Sequence, residues 1–153
     1  MNLLYLVQHD LLDLPILYLS RYIVRNKPAY LAHFRADPID DNWESWLKFM
    51  LRGVELTSME TIETIHRLKD MMADIQERIK TQLPKIYSLD LLNMFFKHPY
   101  TKIDFVIRDV GVQRAAAARY LDTLAGEGFL DKQKLWRSSY YVNKPLFELL
   151  RGR

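Results

Sequence analysis

The 153 residues contain no cysteine, so disulfide staples and thiolate metal ligation are both excluded, and a reducing, cytoplasmic setting is expected. Glycine is scarce. The five present, at 53, 111, 126, 128 and 152, are too dispersed to form a loop whose clustered backbone N–H groups cradle a phosphate. Gly126 and Gly128 suit a helix terminus and its turn instead. Long apolar runs are missing as well. Leu3 to Val7 and Leu14 to Leu19 are separated by Gln8, His9, Asp10 and Asp13, which excludes a spanning helix and leaves no membrane partner to expect. No basic residue precedes Arg21 and no small-residue cleavage site follows an apolar run, so the N-terminus does not read as a secretion signal.

Catalytic and metal signatures are equally sparse. The four histidines, at 9, 33, 66 and 98, have no second histidine three or four residues away, the spacing that puts two ligands on one helical face. Four acidic residues fall between Asp37 and Glu44, but the spacing lacks the central glycine and terminal glutamate of a calcium loop. A solvated turn with Asp41 or Asn42 capping the next helix explains them. There is no G-x-S-x-G elbow and no serine or histidine placed by a nucleophile motif. The residues present assemble neither a catalytic group nor a metal site.

What the chain has is helical periodicity and enough apolar side chains, 49%, to bury a core. A helix is expected from Leu3 to about Asp13, a second from Pro15 to Asn26 and a short third from Pro28 to residue 35, with prolines opening helices and Lys27 held out of helical geometry by Pro28. From Trp43 an apolar stripe through Trp46, Leu47, Met50, Leu51 and Val54 continues through Ile62, Ile65, Leu68, Met72, Ile75, Ile79 and Leu83 at steps of three and four, until Pro84. The texture then changes. Helices are expected over Leu89 to Phe96, Lys102 to Arg108 and Gln113 to Ala125, followed by strands over Phe129 to Lys134 and Ser138 to Val142 with a turn at 135–137. Three helices and then two strands is the order of a winged helix-turn-helix. The fold class is therefore mainly α with a small β-hairpin, and the division falls near Pro84, giving a helical region 1–85 and a winged helix 86–153.

Charge follows the same division. Residues 1–85 carry 11 basic and 12 acidic side chains, whereas residues 86–153 carry 11 and 7, so the whole positive excess lies in the second part. A basic winged helix points to DNA. With Leu121 at the buried centre of the third helix, Ala117, Ala118, Leu124 and Ala125 share its face, and Ala116, Arg119 and Thr123 point outward. Arg119 is placed to pair with guanine and Gln113 with adenine, while Lys132, Lys134 and Arg137 on the wing meet phosphates. Ala115 and Ala116 add little, Asp122 sits on the flank, and one arginine per chain calls for a homodimer. Trp136 and Tyr140 near the wing suit a protein contact equally well.

Two groups of segments carry a family resemblance. Leu3-Leu4-Tyr5-Leu6-Val7-Gln8, Leu12 to Ile23, Asn26-Lys27-Pro28-Ala29-Tyr30 and Trp43 to Val54 resemble, in order and spacing, the part of Fic proteins that follows their catalytic motif. Val110-Gly111-Val112, Ala117 to Leu121, Gly128-Phe129-Leu130 and Tyr140-Tyr141-Val142-Asn143 resemble the winged helix that often follows the Fic core. A complete Fic protein uses ATP with Mg2+ to transfer AMP to a protein hydroxyl, through a motif that opens His-Pro-Phe and continues through Gly-Asn-Gly-Arg. Here His98-Pro99-Tyr100 imitates only the opening, before Thr101 and Lys102. The resemblance implies that residues 1–85 form the C-terminal half of a Fic helical core, that the base and anion hole lie before residue 1, and that this chain alone is inactive. It also implies Tyr30 near an adenine pocket, with Leu31 where a second tyrosine is usual, and a missing N-terminal core or target protein as partner. Unsatisfied apolar surface on Leu3 to Ile23 is then expected to drive self-association. The alternative is a DNA-binding regulator that uses the helical region to dimerise.

Overall fold

A computed structural model describes residues 2–11, 18–35, 43–136 and 138–151. It is mainly helical, with one small antiparallel sheet. Two compact units divide between Ile65 and His66, within a single uninterrupted helix.

In the N-terminal unit, α1 (Asn2–Gln8) ends before Asp10, which adopts a positive φ of 54°. Helix α2 (Leu19–Arg25) is stopped by Asn26, whose backbone N–H and side-chain Nδ2 both donate to the Tyr22 carbonyl, at 3.0 and 2.9 Å. Helix α3 (Lys27–Arg35) starts one residue earlier than Pro28 suggests, because the break falls on Asn26 alone and Lys27 is already helical. The expected opening of α2 at Pro15 and the turn at Asp37–Asn42 lie outside the described residues.

The stripe from Trp43 to Leu83 forms one helix, α4 (Trp43–Gln82). Its N-terminal portion packs with α2 and α3 through Phe49, whose ring centroid lies 5.0 Å from Tyr22, 5.2 Å from His33 and 6.2 Å from Tyr30. Gly53 permits this approach: a Cβ there would sit 2.5 Å from Cδ1 of Tyr22. Met50 and Thr57 are buried on the same side.

The C-terminal unit begins with the last turns of α4, which give Ile75 and Ile79 to its core. Ser88 caps α5 (Leu89–Lys97) by accepting the Leu91 N–H at 3.1 Å, and the helix buries Leu91, Leu92, Met94 and Phe95. Helix α6 (Ile103–Val110) ends at Gly111, where φ of 76° favours glycine. Helix α7 (Arg114–Gly126) buries Ala117, Leu121 and Leu124, as the sequence indicated, and Gly128 at φ 77° turns the chain into the hairpin.

Strands β2 (Asp131–Leu135) and β3 (Ser138–Val142) pair with Lys132 opposite Tyr141 and Leu135 opposite Ser138. Two elements go beyond the sequence reading. A two-residue strand β1 (Tyr100–Thr101) between α5 and α6 adds to β3, giving the sheet order β1-β3-β2. Helix α8 (Lys144–Arg151) follows β3, with Asn143 Oδ1 accepting the Leu146 N–H at 3.1 Å and Leu146 buried. The core joins Ile75, Ile79, Leu91, Phe95, Val106, Leu121, Leu124, Phe129 and Tyr141.

Candidate functional site

The candidate contact residues of the C-terminal unit lie around α7 and the hairpin. Gln113 is exposed immediately before α7 and makes no side-chain cap. Arg119 stands in solvent, whereas Ala116 and Thr123 are half-buried. Lys134 is exposed on β2, opposite Ser139, and Arg137 lies outside the described residues. Tyr30 belongs to the other unit, half-buried on α3 beside Phe49.

Lys132 is tied down. Its Nζ is 2.6 Å from Oδ1 of Asp122 on α7 and 5.4 Å from the Tyr141 ring, and the Tyr141 hydroxyl donates to the same oxygen at 2.7 Å. Asp122 therefore fastens the hairpin to the helix. Its carboxyl titrates below the ordinary range, first because Lys132 donates to it and then because Tyr141 does. Burial and then the bond to Asp122 push the Tyr141 phenol up. A second cation of this face, Arg114, is spent on Asp104 at 2.9 Å. Two of the positive charges around α7 are thus compensated within the fold.

Asp109, at the end of α6, receives Arg108 Nε at 2.7 Å and Lys97 Nζ at 3.2 Å. These donors, Arg108 foremost, hold its carboxyl at about 2. A carboxyl depressed below its unfolded value of about 4 stabilises the fold above that pH and loses the contribution as pH falls through the folded value. The urea midpoint of the chain should therefore drop between pH about 4 and about 2. Asp109→Asn should make that drop shallower, and an unchanged slope would separate Asp109 from the acid transition.

Sequence reasoning placed Asp122 only on the flank of α7 and missed Asn143. The signal for Asn143 was present: an asparagine ahead of Lys144-Pro145-Leu146 has the form of a helix cap followed by a first-turn proline. Nothing local marks the tie between Asp122 and Lys132, because the hairpin register sets it. Among the described residues, no group of three or more His, Asp or Glu side chains converges to hold a metal ion, and no helix is long and apolar enough to cross a membrane.

A helical subdomain closed by a small antiparallel sheet defines the class of the C-terminal unit. Residues 71–146 match the family described as protein adenylyltransferase SoFic-like, C-terminal domain. These residues belong to the Fic family as its C-terminal domain. The match takes in the last turns of α4 together with everything from α5 to the start of α8.

Proposed function

We propose that this chain serves as the C-terminal part of a Fic-type protein adenylyltransferase and transfers no AMP by itself. The family match over residues 71–146 carries the reading. The sequence supports its second half, since the 153 residues contain no Gly-Asn-Gly-Arg run after a His-Pro pair. His98-Pro99-Tyr100 has a structural occupation instead: His98 ends α5, the Pro99 carbonyl accepts the Asn143 N–H at 2.9 Å, and Tyr100 begins β1. MgATP belongs to the catalytic half in this reading.

The C-terminal unit is read as a winged helix that packs on the catalytic core or recruits a partner. Leu4, Tyr5, Leu11, Tyr18 and Val24 are all more than half exposed, which supports a covering core on the N-terminal unit. Tyr30 is the residue proposed to approach an adenine there. The rival reading, a duplex-reading regulator, must rely on Gln113, Arg119, Thr123, Lys134 and Arg137, with Lys132 and Arg114 already compensated.

The test is incubation with ATP labelled at the α-phosphate and a cell lysate, using the 153 residues alone and the same residues joined to the polypeptide encoded upstream. Labelling is expected only from the joined chain. Labelling by the 153 residues alone would overturn the proposal. Labelling by neither, together with a salt-sensitive shift of duplex DNA abolished by Arg119→Ala, would establish the regulator instead.

A further inference from the structure

The outer face of the three-stranded sheet brings together residues that are far apart in sequence. Thr101, Tyr141 and Lys132 share the face turned toward the core and α7, so the alternation of the strands sends Tyr100 and Tyr140 to the other side. There the two rings lie 5.9 Å apart, centroid to centroid, and Tyr100 is also 6.2 Å from Phe105 on α6. Cations alternate with the rings. Lys102 Nζ stands 4.3 Å from the centroid of Tyr140, and the Arg108 guanidinium stands 5.2 Å from that of Phe105.

Tyr100 is 43% exposed, which is open for a residue in a strand, and Phe105 and Tyr140 are half-buried rather than sealed in the core. Three carboxylates of the surrounding elements are engaged: Asp104 with Arg114, Asp109 with both Arg108 and Lys97, and Asp131 with Lys144. Set against these three acids are five cations, so the border keeps a positive balance. At the turn of the hairpin Trp136 is 97% exposed and holds φ of 57°, a left-handed conformation that a bulky side chain adopts at a cost.

From this arrangement we propose that the outer sheet face, centred on Tyr100, Tyr140 and Lys102, binds single-stranded nucleic acid. Unpaired bases offer flat faces to the tyrosine rings while the strand's phosphates meet Lys102, so one ligand satisfies both kinds of group. A duplex hides its base faces within the stack and leaves the rings without partners. An acidic peptide would engage the cations and leave the rings unused. The surface is distinct from the exposed side of α7, and its occupancy does not depend on the Fic reading.

The test is fluorescence anisotropy of a labelled oligothymidylate of about 12 nucleotides, a length within the range of single-strand sites, titrated with the whole chain at low salt. A duplex of equal length and polyglutamate serve as competitors. The single strand is expected to bind and to resist both. Tyr100→Ala should weaken binding about tenfold or more through lost stacking, and Tyr100→Phe, which keeps the ring, should bind like the parent. Lys102→Gln should weaken binding and flatten its salt dependence, while Arg119→Ala should leave it unchanged. Circular dichroism of each variant confirms that the fold is retained. Absence of single-strand binding, equal binding by a folded Tyr100→Ala chain, or displacement by polyglutamate or duplex at matched concentration would overturn the proposal, whatever the AMP-transfer experiment shows.

Discussion

Phe95→Ala is expected to lower the stability of the chain by about 3–5 kcal/mol, read as a shift of the urea midpoint with the slope unchanged. The ring is 2% exposed and lies in the core with Leu121, Leu124, Val106 and Tyr141. Truncation removes the transfer free energy of a whole aromatic side chain and leaves a hole that the surrounding helices and sheet refill only in part. Against a domain stability of about 5–15 kcal/mol, such a loss is a large fraction of the total. Phe95→Leu keeps most of the volume and should cost less than half as much. Equal losses from the two variants would mean that the ring's shape, and not the volume it fills, sets the stability.

Asn143→Leu should rank next, with a loss of about 2–4 kcal/mol from a missing cap and newly unpaired buried groups. Asn143 is 1% exposed and ties α8 to α5 and to Pro99: Oδ1 accepts Leu146 N–H at 3.1 Å, Nδ2 donates to the Phe95 carbonyl at 3.4 Å, and its own N–H donates to the Pro99 carbonyl. Its carbonyl receives Phe147 N–H at 2.9 Å. Leucine keeps the branched skeleton of asparagine but is bulkier, so the loss combines the missing hydrogen bonds with overpacking at a buried site. Asn143→Ser, which retains a capping oxygen, should recover part of it. Hydrogen exchange should show the amides of α8 losing protection first in the leucine variant. Uniform loss of protection across the unit would assign Asn143 to the global core rather than to the start of α8.

Much of this architecture was legible because helix ends are written locally. Pro84 and Gly128 stop or turn the chain where the sequence placed them, and the apolar spacing of 117, 121 and 124 gave the buried side of α7 correctly. Strand β1 was not legible, since two residues are too few to show alternation, and pairing with β3 forty residues later creates the element. Helix α8 was passed over because the alternating pattern of β3 ends directly at its cap. For the candidate site, residue type and exposure were legible at Arg119 and Lys134, but compensation was not. Lys132 meets Asp122 through the register of the hairpin, a property of the fold rather than of either neighbourhood. The same holds for Tyr100 and Tyr140, which become neighbours only when β1 joins the sheet.

Pro84 looks like a natural place to divide this chain, because a helix ends there and a different texture begins. Cutting there would nevertheless discard Ile75 and Ile79, 5% and 1% exposed, together with Met71, which packs on the same core. A piece beginning after the proline would leave that core uncovered where these side chains pack and would resemble a damaged protein more than a domain. Anyone expressing the C-terminal unit by itself should carry the chain back into the middle of α4, where the side chains that seal it begin.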